Sequence, residues 1–131
     1  MKFATFLAAF LALLTASALQ AANPVVLIET SKGNMKVELF EDKCPITVKN
    51  FLQYVEDRHF DGLVFHRVIK GFMIQGGGYD IDLKERKTRE AIKNESSSGV
   101  LNKRGSIAMA RTDDLDSATC QFFLNHADNA F

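Results

Sequence analysis

FHRVIKGFMIQGGG, Phe65 to Gly78, is the stretch on which the fold turns, because it sets one arginine among apolar residues on two short runs of strand character. Alternation along a strand puts Phe65 and Arg67 on one face. A second strand entered through Gly71 puts Met73 and Gln75 together on one of its faces, so Arg67, Met73 and Gln75 are expected to share a surface. A guanidinium fork beside a thioether and an amide suits a peptide, whose carbonyls it can hold by hydrogen bonds and whose apolar rings it can hold by contact. Phosphate is a poor fit. Gly76, Gly77 and Gly78 come without the lysine and hydroxyl of a nucleotide-binding loop and read as a turn with close backbone approach.

Upstream, Val25 to Thr30 reads as a strand, Ser31 to Asn34 as a glycine-containing turn and Met35 to Phe40 as the partner strand, with Met35, Val37 and Leu39 on its buried face. Pro45 suits the first position of a helix, along which Val48, Phe51, Leu52 and Val55 follow at i, i+3, i+4 and i+7; the helix is expected to cover the sheet and end near Arg58. Downstream, Asp80 to Gly99 is polar, without apolar periodicity, and reads as a long loop. Ser106 to Ala110 and Thr119 to Asn125 read as further strands. Ala108 and Ala110 share a face of the first, and Gln121, Phe123 and Asn125 share a face of the second, giving a shallow groove with an apolar floor. Phe122 points the other way and is assigned to the core. His66 is expected to be buried and hydrogen-bonded, with His59 and His126 at the surface.

The first residues are a different kind of sequence. Lys2, the uncharged apolar run Phe3 to Leu14, and Ala16-Ser17-Ala18 have the pattern of a secretory signal peptide cleaved after Ala18 or Ala22. The apolar core is shorter than the roughly 20 residues of a spanning helix. Residues 1–22 are therefore read as leader and 23–131 as one domain. Lys2 is the leader's one charged residue, so its removal leaves the chain's 16 Lys and Arg one short of its 16 Asp and Glu. Such a balance gives no footprint for nucleic acid and suits a surface that handles many peptides without electrostatic selection. Cys44 and Cys120 would enter an oxidising compartment and could pair, but sequence alone does not bring them within bonding distance. With three dispersed histidines they have no metal-ligand spacing.

The Phe65 to Gly78 run resembles the core signature of the cyclophilins, the peptidyl-prolyl cis/trans isomerases. GSIAMARTDD (Gly105 to Asp114) and SATCQFFLNHADNAF (Ser117 to Phe131) are similar to the family's later active-site strands, in the form seen in bacterial periplasmic members. The resemblance spans roughly Pro24 to Phe131. It implies a mainly β fold, an antiparallel β-barrel with a covering helix, from which this chain lacks the closing strands, a second helix, and a pocket leucine and histidine. It implies a periplasmic enzyme that isomerises X-Pro bonds in exported proteins, without cofactor, as a monomer. Its partners would be proline-containing peptides and unfolded exported chains and, weakly, cyclosporin, with neither nucleic acid nor, after leader removal, membrane.

By resemblance, Arg67 is the catalytic arginine, Phe72, Met73 and Phe123 form the proline pocket, and Gln75 and Gln121 position peptide and arginine. Ala110 and Arg111 line the strand beside the substrate, Arg111 standing where many relatives have asparagine. Phe131 stands where many have tryptophan, and Lys70 where proline is common. The loop Asp80 to Gly99 borders the groove in the family and would contribute to substrate choice. The competing reading is a proline-peptide binding or chaperone module without turnover. A serine hydrolase has less in its favour, since the chain has no G-x-S-x-G elbow.

Overall fold

A computed structural model describes residues 21–130. The leader through residue 20, the cleavage point after Ala18, and Phe131 lie outside them. Strands β1 (Val25–Thr30) and β2 (Gly33–Glu38) form a hairpin; helix α1 (Pro45–Glu56) follows. Then come β3 (Arg67–Ile69), β4 (Met73–Gly76), a 3-10 turn at Ser96–Ser98, β5 (Ile107–Met109) and β6 (Phe122–Asn125). The sheets are antiparallel: β1-β2, and a four-stranded sheet in the order β3-β4-β6-β5. Among the described residues the two sheets do not close into a barrel, which leaves β3 and β5 as edges.

The hairpin follows its alternation. Met35, Val37 and Leu39 turn inward while Lys36 and Glu38 face solvent. Helix α1 carries its apolar stripe onto the same core, where Leu39, Val48, Phe51 and Phe122 are buried together, with Ile107, Met109 and Leu124 of the larger sheet packed against them. The expected stripe is displaced at its C-terminal end. Val55 is exposed, and Tyr54 (1% exposed) takes the inward position. Its hydroxyl accepts the backbone N–H of Arg89 at 2.7 Å, which makes burial of the polar end tolerable. Asn50 is also buried, with its amide donating to the Thr119 carbonyl at 2.7 Å.

Both helix ends are held by contacts that periodicity does not reveal. Cys44, at the N-cap, provides no side-chain cap. The Glu95 carboxylate, far along the chain, accepts the N–H groups of Ile46 (3.2 Å) and Thr47 (2.8 Å) and the Thr47 hydroxyl (2.7 Å). A negative charge there satisfies orphan donors and complements the positive end of the helix dipole. At the other end Arg58 adopts φ 53°, its N–H donates to the Val55 carbonyl and that of His59 to the Tyr54 carbonyl, the Schellman pattern. The helix thus stops where expected. That stop also brings His59 onto Tyr54, with ring centroids 4.6 Å apart.

His59 is consequently buried, contrary to its assignment to the surface, and its Nε2 has no hydrogen-bond partner among the described residues. Burial pushes its pKa below the ordinary 6.5, a backbone hydrogen bond at Gly77 opposing this in part. The neutral form is favoured on folding, whereas the unfolded chain takes up a proton near 6.5. The stabilising difference is therefore fully present above that value and is lost as pH falls through it towards the lowered folded-state value. We expect the thermal midpoint, followed by circular dichroism, to drop between about pH 7.5 and 5.5, and His59→Phe, which keeps a ring against Tyr54, to flatten part of the drop. His66, also lowered by burial and then by the Arg67 charge, acts in the same direction.

Both cysteines are free thiols. Cys120 is buried, which pushes its thiol pKa up, while Cys44 Sγ donates to Ser98 Oγ at 3.2 Å. Among the described residues, no helix is long and apolar enough to cross a membrane.

Candidate functional site

Strand register builds the site. Arg67 stands opposite Gln75, Gln75 opposite Phe123, and Phe123 opposite Ala108. Residues opposed across antiparallel strands project to the same side, so these four form a row across the sheet. Met73, opposite Asn125, begins the next row. The intervening positions, Phe122, Leu124, Ile107 and Met109, point into the core under α1. One face of the sheet is therefore structural and the other is free for a ligand. The expected sharing of a surface by Arg67, Met73 and Gln75 is found.

The premise for singling out Arg67 needs correction. β3 is an exposed edge strand, Val68 being 67% exposed, so Arg67 is no cation among buried apolar groups. What fixes it is a relay of amides. Arg67 Nη1 donates to Gln75 Oε1 at 3.3 Å, and Gln75 Nε2 donates to Gln121 Oε1 at 2.9 Å. The second bond fixes the Gln75 amide with its oxygen towards the guanidinium, which lines the groove and has further N–H donors to offer.

The glycine run makes this relay possible by close approach. A Cβ on Gly77, which has φ +90°, would lie 2.8 Å from the Cys120 carbonyl oxygen and 2.9 Å from the Phe122 ring. A Cβ on Gly78 would lie 2.7 Å from Cγ and 2.8 Å from Cδ of Gln121. Gly78→Ala should therefore displace the Gln121 amide without straining the backbone. We expect the side-chain amide NMR signals of Gln121 and Gln75 to shift with little change in thermal midpoint, because the added methyl meets the Gln121 side chain and no backbone atom.

Arg67, Phe72, Met73, Gln75, Ala110, Arg111 and Phe123 line one groove of about 1200 Å³. Gln121 is not part of its wall and stands behind Gln75. Because β5 is an edge, it contributes residues from both of its faces, and the groove continues past it onto Leu39, Val48 and Phe51. Arg111 is exposed and donates from Nη1 to the Thr112 carbonyl at 2.8 Å, while the Ala110 N–H donates to the Gln121 carbonyl at 2.9 Å. Met73 is buried and forms the floor; Phe72 and Phe123 are half-buried beside it.

Asn102 and Asn129, which sequence did not place at the groove, join Asn125 in setting the position of Phe72. Its carbonyl accepts the His126 N–H (2.8 Å) and the Asn129 side-chain amide (3.0 Å). Asn129 also donates to Asn125 Oδ1 at 2.6 Å, and the Asn129 N–H bonds the Asn102 carbonyl. The available signal was the pair Asn125 and Asn129, polar groups four residues apart in a segment otherwise rich in apolar residues. Of the histidines, His126 is at the surface as expected and accepts the Gly71 N–H at 3.1 Å. His66, expected to be buried, is half-buried and meets the Tyr79 ring edge-on; its buried Nδ1 finds no hydrogen bond among the described residues, so the expected bond is not formed there. The loop from Asp80 does border the groove, through Ile92 to Ser96 and Ser98.

The sequence profile of the family described as cyclophilin type peptidyl-prolyl cis-trans isomerase matches residues 25–131. A peptidyl-prolyl cis-trans isomerase of Acinetobacter baylyi is 53% identical over 110 residues, 84% of this chain and 58% of that protein. Peptidyl-prolyl cis-trans isomerase B of Escherichia coli is 50% identical over 107 residues, 82% of this chain and 65% of that protein. The chain thus spans less than two thirds of the length of these relatives. A crystal structure of a cyclophilin type isomerase from Cryptosporidium parvum, determined in the presence of the dipeptide Ala-Pro, is similar with a TM-score of 0.70 and 29% identity, over 82% of this chain and 70% of that one. A cyclophilin from Hirschia baltica has the same fold, with a TM-score of 0.69 over 82% of this chain and 59% of that one.

Proposed function

Since the chain belongs to the cyclophilin type peptidyl-prolyl cis-trans isomerase family, we propose that it accelerates cis/trans isomerisation of X-Pro bonds, with Arg67 as the catalytic group and the Met73–Phe72–Phe123 surface as the proline pocket. The observation that carries this reading is the row of Arg67, Gln75 and Phe123 on one sheet face, which sets a guanidinium across from an apolar floor.

Rotation about a peptide bond crosses about 18–20 kcal/mol because the nitrogen lone pair is delocalised into the carbonyl. At X-Pro both isomers are accessible, so a catalyst has only to weaken that delocalisation. A guanidinium hydrogen-bonded to the proline carbonyl and directed towards the prolyl nitrogen favours a pyramidal nitrogen in the twisted state. The apolar floor grips the ring while the preceding carbonyl turns. Each tenfold in rate requires about 1.4 kcal/mol, so interactions stronger in the twisted state by a few kcal/mol suffice.

The test is exchange between cis and trans forms of a short X-Pro peptide, followed by NMR in the presence of the chain. Line broadening and exchange cross-peaks that scale with protein concentration are expected; binding without acceleration would leave a peptide-holding module instead. The leader-like first residues support export, and with it a periplasmic role in folding exported proteins whose slow steps are X-Pro isomerisations. Appearance of the mature protein in a periplasmic extract, shortened at Ala18 or Ala22 by mass spectrometry, checks that part separately.

A further inference from the structure

The chain as a whole has no net charge, but its groove does not share that balance. Lys36 and Glu38, both on β2, add one charge of each sign to its lining. Along the rest of the groove stand Arg67, Lys93, Arg104 and Arg111, against Glu95 and Asp113. Glu95 is already committed: both of its oxygens accept donors at the start of α1, where the helix dipole balances the charge. Among the described residues the ion pair that forms is Arg89 with Asp57, outside the groove, so none of the groove cations has a carboxylate within salt-bridge distance. Arg111 and Arg104 lie just beyond the two ends of β5. Asp128 accepts the backbone N–H of Arg104 at 2.8 Å and thereby fixes the turn without pairing its guanidinium.

We propose that the groove selects X-Pro segments flanked by acidic side chains, and that Arg111, with Arg104 farther along, exerts the selection. The proposal rests on the isomerase reading and deepens it by naming a substrate class. With Glu95 committed to the helix, Asp113 is left to offset one of the four cations Arg67, Lys93, Arg104 and Arg111. An excess of one sign along a cleft concentrates ligands of the other, and exposed charges act over roughly 8–10 Å at physiological salt, so a flanking carboxylate need not touch either guanidinium to be favoured.

The experiment compares short single-proline peptides whose flanking residues are both glutamate, both glutamine or both lysine. The catalysed kcat/KM of each is divided by its uncatalysed rate. We expect the order glutamate, glutamine, lysine, with steps of about two- to fivefold at low salt that converge near 0.5 M salt. Arg111→Gln and Arg104→Gln should each reduce the glutamate-to-lysine ratio, and the ratio is the readout because any uniform loss of activity cancels in it. Equal values for the three peptides, a reversed order, or a ratio unmoved by both substitutions would overturn the proposal. If no peptide is accelerated, the isomerase reading fails instead. Titration of the same three peptides then decides on affinity: tighter binding of the glutamate peptide upholds selection, and equal binding overturns it.

Discussion

Arg67→Ala is expected to lower kcat/KM for X-Pro isomerisation by about 10²–10³-fold while peptide affinity stays within about threefold, because a group acting mainly in the twisted state contributes little to ground-state binding. In the free chain Arg67 is exposed, where a hydrogen bond to it is worth little. A bound peptide covers the guanidinium and lowers the local dielectric, so the same bond strengthens when it matters. Gln75 holds the fork in place before substrate arrives. Arg67→Lys should restore only a small part of the lost rate, since an ammonium lacks the planar fork that the Gln75 amide orients. NMR exchange rates and peptide titrations on the same samples separate the two quantities. Equal losses of affinity and rate would show that Arg67 binds uniformly and does not act on the transition state.

Phe122→Ala should be the most damaging single change to stability, costing about 3–5 kcal/mol. Phe122 is 4% exposed, and its ring meets those of Phe51 (5.5 Å), Phe60 (5.5 Å) and Phe65 (6.0 Å), each edge-on. It is the point at which the four-stranded sheet, the helix and the turn after it touch. Domains are stable by only about 5–15 kcal/mol, so the loss removes a large share of the total. Phe123→Ala, one position along and on the opposite face, is the matched control. It should shift a urea unfolding midpoint little and weaken peptide binding instead. Similar destabilisation by the two would contradict the division of the sheet into a structural and a ligand face.

The hairpin, the helix and the shared surface of Arg67, Met73 and Gln75 were legible because their signals are local: alternation in Met35 to Leu39, Pro45 opening a periodic stripe, and alternation again in Met73 and Gln75. Phe72 and Arg111 were placed at the groove by the family resemblance alone. What sequence did not reveal depends on partners far along the chain. Tyr54 can be buried because Arg89 answers its hydroxyl, and His59 because the helix turns back at Arg58. The start of α1 is capped by Glu95 where a local N-cap was absent. Arg67 was singled out for being isolated in an apolar strand, whereas it lies on an exposed edge and is held by Gln75. The overall charge balance suggested indifference to charged peptides; it does not reveal that Arg67, Lys93, Arg104 and Arg111, from separate segments, line one groove.

The relay from Gln75 to Gln121 joins residues 46 positions apart, and this separation governs the order of folding. The β1-β2 hairpin needs only a two-residue turn and forms on the microsecond scale. Pairing β4 with β6 must first close the long intervening loop, an entropic cost roughly 3 kcal/mol above that of the two-residue turn. Rates fall as contacts become less local, so the row carrying Arg67, Gln75 and Phe123 is completed after the hairpin and helix have formed. A refolding chain therefore acquires most of its secondary structure before the groove exists.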